Sequence, residues 1–199
     1  MSVRIYVEGG GDNEDSITRC RQGFAAYCAN VAPGRNRPRI VPCGGRNQTF
    51  DKFRRAVETS KTGEVQVLLV DSESGVSAAT EVEHLRIRDR WDFPTLSDHH
   101  IFLMVECVES WFLADREALA SFYDGGFSAK SLSGSPKNIE VIQKQDVANG
   151  LKKATVNTKT KGEYHKIVHG SALLARINPA LVERASPHAK RLHDFLRTL

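Results

Sequence analysis

Acidic side chains follow two apolar runs that are typical of buried strands. Asp71 and Glu73 come directly after the Val-rich run 65–70, and Glu8 ends the run 2–8 before a glycine turn. Because the carboxyl ends of parallel strands meet at one edge of a sheet, we expect Glu8, Asp71 and Glu73 to converge there. Converging carboxylates repel one another unless a proton or a cation neutralises them, and their hard oxygens suit Mg²⁺ or Mn²⁺. The sequence therefore predicts a divalent-cation site, whereas the alternative is that each acid caps a helix or faces solvent.

A second pair of acids, Glu106 and Glu109, lies where the apolar run 101–107 passes into a helix. Either acid could add a second cation position or a base that orients water. Glu109 is equally compatible with a first-turn acid that the helix dipole favours. Strand alternation leaves open the face to which Glu106 points.

The segment 159–169 combines lysines, an aromatic residue and two histidines. Its lysines are candidates for phosphate contacts, and His165 is a candidate for delivering a proton to a leaving group. His165 and His169 stand four residues apart, which also fits a metal pair, but no HExxH-type acid lies between them. A solvated basic face is the alternative for the whole segment. The candidate nucleic-acid contacts here are Lys159, Lys161 and Lys166.

Arg46 is a further candidate for a phosphate contact, because it follows the second predicted strand in a loop with Gly44 and Gly45. Other phosphate and nucleophile motifs are excluded. The chain has no Walker loop, no Rossmann glycine fingerprint and no nucleophile elbow.

Strand and helix patterns alternate through the first 123 residues, which predicts an α/β fold with a mostly parallel sheet of about four strands flanked by helices. Beyond residue 123 the strand signal stops. We therefore predict an α/β core over 1–123 and a basic, mainly helical extension over 124–199 that packs on it. The predicted strands are 2–8, 39–43, 65–70 and 101–107, and the predicted helices begin near Asn13, Thr49, Glu81 and Glu109 and then at 146, 171 and 186.

Charge and cysteine content bound the function classes. The 199 residues carry a formal net charge of +4, and the basic surplus lies in the last third, which favours an anionic partner such as nucleic acid. The four cysteines show no CxxC spacing, so buried free thiols in a reducing compartment are expected and zinc is not. Without a leader-like or membrane-spanning apolar segment, a cytoplasmic protein with no membrane partner is expected.

These residues resemble the motifs of the Toprim superfamily. That superfamily has a glutamate at the end of its first strand, as in Val7-Glu8-Gly9-Gly10, and an Asp-x-Asp pair after a later strand, as in Asp71-Ser72-Glu73. More specifically, the chain is similar to an uncharacterised bacterial Toprim-like family, domain of unknown function 4276. The segments that carry this similarity are 6–12, 43–47, 68–73, 109–115 and 161–166.

The resemblance implies a Toprim-like core that uses magnesium in phosphodiester chemistry, as in primases, topoisomerases and nucleases of the overcoming-lysogenization-defect type. Relatives of the last kind often work beside an ATPase in phage defence. Glu73 departs from the Asp of the motif and sets its carboxylate farther from the backbone. The chain also lacks a topoisomerase-style domain that would present a transesterifying tyrosine.

Our hypothesis from the sequence is a metal-dependent nuclease that acts on DNA or RNA. Its metal ligands would be Glu8, Asp71 and Glu73, with help from Glu109. The leaving group of the cleavage reaction would be neutralised or protonated by Lys161, His165 and Lys166. An ATPase of ABC or AAA type is the implied protein partner, and a homo-oligomer is compatible with the assignment.

Two other function classes compete with the nuclease. The first is a non-catalytic regulatory or adaptor module on a Toprim scaffold, which docks on an ATPase or on nucleic acid. The second is a phosphotransfer domain of receiver type, which would need a lysine at the end of a fifth strand, and none is found.

Overall fold

The computed structural model describes residues 2–11, 13–93 and 100–199. The strands are β1 (Ser2–Val7), β2 (Arg39–Pro42), β3 (Glu64–Asp71) and β4 (Ile101–Met104). The helices are α1 (Glu14–Val31), α2 (Arg46–Glu58), α3 (Glu81–Asp89), α4 (Glu109–Phe112), α5 (Arg116–Tyr123), α6 (Lys144–Thr155), α7 (Lys166–Leu174), α8 (Pro179–Ala185) and α9 (Pro187–Arg197). This architecture confirms the predicted α/β fold.

All four strands are parallel and follow the order β2-β1-β3-β4. The two strands that carry the candidate acids, β1 and β3, are therefore neighbours at the centre of the sheet. Val7 pairs with Leu69, and Asp71 at the end of β3 pairs with Met104 of β4. The loops after β1 and β3 consequently leave the same edge of the sheet, where the sequence predicted a site.

The side chains of each strand alternate between the two faces of the sheet. Both faces are apolar, and helices cover each of them. Ile5, Val67 and Leu69 belong to the larger layer, which includes α1 and the C-terminal helices. Tyr6 and Leu68 belong to the smaller layer under α2 and α3. The sheet is thus buried on both sides, which explains its nearly continuous apolar strands.

The C-terminal helices pack directly on the core. Helix α7 lies against α1, and α9 lies against β4. Leu173 of α7 and Leu192 and Leu196 of α9 are buried in the same apolar layer as the central strands. Helix α9 begins as predicted, with Ser186 as its cap and Pro187 in its first turn.

Three helix predictions were wrong in detail. Helix α2 begins at Arg46 with Gly45 as its cap, because Thr49 already lies inside the helix and donates its hydroxyl to the Gly45 carbonyl. The segment predicted as one helix from Glu109 breaks into α4 and α5, since Asp115 caps Ala118 and starts a new helix. Helix α7 begins at Lys166, not near residue 171, and α8 was not predicted.

The four cysteines are buried free thiols, as predicted. Among the described residues, no helix has both the length and the hydropathy to cross a bilayer. Asp12, which ends the segment 6–12 that carries part of the family similarity, lies outside the described residues.

Candidate metal centre

Three carboxylates meet at the carboxyl edge of the sheet. One side-chain oxygen from each of Glu8, Asp71 and Glu73 lies within 4.8 Å of the other two. The backbone N–H of Glu8 donates to the Leu69 carbonyl at 3.3 Å, which keeps the end of β1 against β3. The predicted convergence of these acids is confirmed, and the cluster could hold a metal ion. Their catalytic roles stay predictions.

Backbone hydrogen bonds hold the ends of β3 and β4 together beyond the strands. The N–H of Glu73 donates to the Glu106 carbonyl at 3.1 Å, and the N–H of Glu106 donates to the Ser72 hydroxyl at 2.8 Å. Glu73 and Glu106 adopt φ angles of 66° and 61°, a left-handed conformation that side chains other than glycine seldom adopt. Arg90 and Asp124, which cap the C-terminal ends of α3 and α5, also have positive φ angles, so this conformation is not confined to the acidic cluster.

Asp71 is the most buried of the three acids, with 3% of its surface exposed. Its Oδ1 accepts the Val108 N–H at 2.9 Å, so the loop after β4 fixes its orientation. Its Oδ2 lies 3.9 Å from Lys166 Nζ and 4.0 Å from Lys144 Nζ. Burial raises the pKa of Asp71 to about 7, although Lys166 opposes this shift. Because the Asp71 carboxyl is shielded from water, the site favours a ligand that stabilises the charged form of this carboxyl.

Glu8 shares its surroundings with Arg46. Burial raises the pKa of Glu8, and the Arg46 guanidinium opposes that rise. Arg46 Nη1 donates to Glu8 Oε2 at 3.2 Å and also contacts the Asp71 carbonyl. The same guanidinium makes a two-pronged contact with Asp89 at 2.8 and 2.7 Å and lies 4.9 Å from the ring centroid of Trp91. Arg46, predicted to contact phosphate, is therefore held among the acids with only 14% of its side chain exposed.

Lys144 is a member of the site that sequence reasoning missed. Its ammonium forms an ion pair with Glu73, 71 residues away in the chain. No spacing in the sequence connects the two residues, because the contact depends on how α6 packs against α4. The only sequence signal was the general excess of lysine in the last third of the chain.

Glu109 is a further buried acid, at the start of α4 and outside the cluster of three. Its carboxylate accepts the Tyr164 hydroxyl at 3.2 Å and forms an ion pair with Lys166 at 3.1 Å. Burial and then Glu109 raise the pKa of Tyr164, so this phenol stays protonated as a donor. Burial opposes the charge of Lys166, but Glu109 and Asp71 outweigh it and raise the pKa of this lysine.

Glu106 is used differently from the prediction of a second cation position. Its Oε2 accepts the backbone N–H of Lys144 at 2.9 Å, which places a carboxylate at the first turn of α6. Glu106 therefore ties the loop after β4 to the helix that delivers Lys144.

The basic segment contributes unevenly to the site. Lys166 reaches the acids, whereas Lys161 lies 4.8 Å from the centroid of the Phe122 ring, and Lys159 is exposed in the turn before α7. His169 is buried, and its Nδ1 faces the Tyr123 hydroxyl at 3.0 Å and the His165 N–H at 3.2 Å. With Nδ1 engaged, Nε2 of His169 is the ring nitrogen that would bind a metal, and the alternative of a metal pair with His165 stays a prediction.

Two cavities open on either side of Glu109 and Lys166. One, of about 250 Å³ and here called the basic cavity, is lined by Lys144, Lys152, His165 and Lys166, although most of its surface comes from apolar atoms. The other, of about 150 Å³, has mainly apolar walls and reaches Glu8. The arrangement therefore places two mainly apolar recesses beside the acidic cluster, one of which is bordered by four basic side chains.

Comparison with known proteins gives a match to one family. The family model described as "Domain of unknown function (DUF4276)" matches residues 7–197. No curated protein and no solved structure matches the chain.

Proposed function

We propose that the chain, which belongs to the DUF4276 family, is a metal-dependent phosphodiester-cleaving enzyme of the Toprim type. The observation that carries this proposal is the cluster of Glu8, Asp71 and Glu73 within 4.8 Å at the carboxyl edge of a parallel sheet. The proposed ion is Mg²⁺ or Mn²⁺, and the proposed substrate is DNA or RNA.

The donor set suits a small hard cation. All three ligands are carboxylates, and ligands about 2.1 Å from Mg²⁺ on opposite sides are about 4.2 Å apart. The separation of up to 4.8 Å is thus close to what one ion spans. Lys144 would have to release Glu73, and burial of Asp71 would then favour exchange of its proton for the ion.

Bound among these acids, the cation would supply an acidified water nucleophile and would stabilise charge on the scissile phosphate. The side chains of the protein would hold and neutralise the rest of the substrate. Lys166 lies 3.9 Å from Asp71 Oδ2, within reach of a phosphate oxygen at the cluster. His165 is exposed beside it and could protonate the leaving oxygen.

The basic cavity supports an anionic polymer as the substrate. Lys144, Lys152, His165 and Lys166 line about 250 Å³ directly next to the acidic cluster. A second phosphate could lie there while the first lies at the acids, since cations that follow a backbone provide most of the affinity for nucleic acids.

The test is a cleavage assay with supercoiled DNA, single-stranded DNA and structured RNA in Mg²⁺ or Mn²⁺. We expect the wild type to cleave at least one substrate and the Glu8→Ala/Asp71→Ala variant to lose at least 100-fold in rate. The matched control is Glu14→Ala/Asp15→Ala, which removes two acids from the exposed first turn of α1. Full activity in the Glu8/Asp71 variant would refute the assignment.

One observation favours a second candidate, a non-catalytic adaptor on the same scaffold that docks on an ATPase. Arg46, Lys144 and Lys166 already lie against the acids, so the cluster is neutralised within the protein. Titration calorimetry with Mg²⁺ separates the candidates. Heat of binding in the millimolar range or below supports the enzyme, and its absence supports the adaptor.

A further inference from the structure

The apolar cavity is a groove between α1 and α7 that ends at the acidic cluster. On the α1 side, Ser16, Cys20 and Phe24 line it at intervals of four residues, which places them on one face of that helix. On the α7 side, Ile167 and Gly170 line it. The glycine turn after β1 and Glu8 lie at its inner end, so the groove leads to a candidate metal ligand.

Small residues create this groove. At Gly23 the two helices touch, and a Cβ there would lie 2.6 Å from the Ser171 carbonyl oxygen. Nearer the acids Gly170 leaves space, since a Cβ at that position would have its nearest neighbour, the Tyr164 hydroxyl, at 3.6 Å. The helices therefore touch at Gly23 and Ser171 and leave a recess beside Gly170.

The walls of the groove are suited to a flat apolar group. Phe24, Phe112 and Leu174 line it, and the charged residues that line it, within the part of the chain that the structure describes, are Glu8, Glu109 and Lys166 at the end near the cluster. At about 150 Å³, the groove has room for one small organic group. Apolar walls with a few polar groups at one end are typical of pockets that orient a small organic group.

We infer that this groove receives one unpaired base of a single-stranded nucleic acid, while the phosphate next to that base lies at the acidic cluster. The inference rests on the proposed function and deepens it by naming the class of substrate. Because Glu109 and Lys166 line both cavities, a base in the apolar groove places the neighbouring backbone beside the basic cavity. A base in a duplex is stacked and paired and cannot enter without being extruded, so single strands are the preferred substrate.

The first test uses a set of single-stranded oligonucleotides that each carry one stable abasic residue at a different position. We expect one position beside the scissile bond to lower kcat/KM at least tenfold, and the matching duplex to be cleaved at least tenfold more slowly than the single strand. Equal kcat/KM for every abasic position would overturn the inference. Equal cleavage of duplex and single strand with the abasic effect retained would overturn the preference for single strands and would indicate that the base is extruded from the duplex.

The second test fills the groove. Gly170→Leu adds a side chain at a residue that lines the cavity, whereas Gly125→Leu adds the same side chain at a position with nothing within 4 Å. We expect Gly170→Leu to raise KM about tenfold and to remove the abasic effect, with unchanged Mg²⁺ binding and circular dichroism. Gly125→Leu should behave as wild type. An abasic effect that persists in Gly170→Leu would overturn the inference.

A binding measurement separates this inference from the proposed function. Single-stranded oligonucleotides with one 2-aminopurine are titrated with the full chain, and we expect a fluorescence change at one position that Gly170→Leu abolishes. If the wild type cleaves nothing but this change occurs, the nuclease proposal fails and the base site stands. If the wild type cleaves and no position responds, the base site fails and the nuclease proposal stands.

Discussion

Lys144 places its ammonium group against carboxylates that a divalent cation would need as ligands. Its Nζ contacts Glu73 and lies 4.0 Å from Asp71 Oδ2. The lysine therefore stabilises the metal-free cluster and competes with any cation that binds there. If the proposed cation binds, Lys144 would release Glu73 and could turn toward the basic cavity, where a phosphate would replace its carboxylate partner.

The first prediction concerns this competition. Lys144→Met should raise the affinity for Mg²⁺ about fivefold, because removal of a partly exposed ion pair and its positive charge is worth about 1 kcal/mol. Titration calorimetry at fixed ionic strength measures the effect. Lys152→Met is the control, since Lys152 lines the same cavity without a contact to Asp71 or Glu73 among the described ion pairs. Equal affinities for the two variants would contradict the prediction.

At the scale of residues, the sequence predicted the acids better than their partners. Glu8, Asp71 and Glu73 could be found because each follows an apolar run, and parallel strands bring their ends together. The partners follow no such rule. Arg46 meets Asp89 across 43 residues and Lys144 meets Glu73 across 71, so their pairing depends on how whole helices dock.

At the scale of elements, the contact between α1 and α7 depends on Gly23. A Cβ at this position would lie 2.6 Å from the Ser171 carbonyl oxygen and 2.9 Å from the Ser171 Cα, and backbone atoms cannot move aside easily. The pair of helices that forms the apolar groove therefore requires a residue that helices otherwise disfavour.

The second prediction is that Gly23→Ala lowers the free energy of unfolding by about 1–3 kcal/mol, although alanine has the higher helix propensity. Urea denaturation measures the change. Gly170→Ala on the facing helix is the matched control, because its nearest neighbour at 3.6 Å is an ordinary contact and alanine should be neutral or stabilising there. Equal effects of the two substitutions would show that the close contact is not limiting.

The third prediction concerns the start of α9, where His188 Nδ1 lies 3.0 Å from Glu140 Oε2. The hydrogen bond to Glu140 raises the pKa of His188, with Glu81 adding to the shift and Arg191 opposing it. This contribution to stability is fully present below the ordinary histidine pKa of about 6.5 and is lost as pH rises through the higher folded value. His188→Gln should therefore cost about 1 kcal/mol near pH 5.5 and less near pH 8.5.

Urea denaturation at both pH values checks this dependence. Lys190→Gln, which removes an exposed charge from the same helix, is the control and should show a small effect that does not change between them. A His188→Gln cost that grows with pH would refute the assignment of the ion pair.

The alternation of strands and helices was predictable from the sequence because each strand is a short apolar run between turn residues. The break between α4 and α5 was not. The residues around Asp115 have good helix propensity, but the Asp115 carboxylate caps Ala118 and also accepts the Asn178 N–H at 2.8 Å. A partner 63 residues away thus decides where a local pattern ends.

At the scale of the whole molecule, the last third of the chain completes the main apolar layer. Leu151, Leu173, Ile177 and Leu192 lie in the same buried layer as Ile5 and Leu69 of the sheet. Lys144 and Lys166 reach the acidic cluster from this part of the chain. The C-terminal helices therefore provide both stability and charge to the site.

The fourth prediction is that a fragment of residues 1–123 lacks a cooperative thermal transition, because it would expose the apolar surface that these helices cover. Circular dichroism during heating measures this. Addition of a separate fragment of residues 124–199 should restore a cooperative transition and Mg²⁺ binding. A sharp melting transition of the first fragment alone would show that the predicted core at 1–123 folds independently.

The left-handed backbone at Glu73 has a consequence for any attempt to make the protein more heat-resistant. Glycine or asparagine would adopt a φ of 66° more easily, and relief of such strain is worth about 1–2 kcal/mol. Selection for heat tolerance alone would thus favour losing a carboxylate from the cluster wherever this relief exceeds the stabilisation from the Lys144–Glu73 ion pair. Variants that gain thermal stability by a substitution at position 73 should bind divalent ions less well. Thermal stability and ion affinity therefore oppose each other at a single residue.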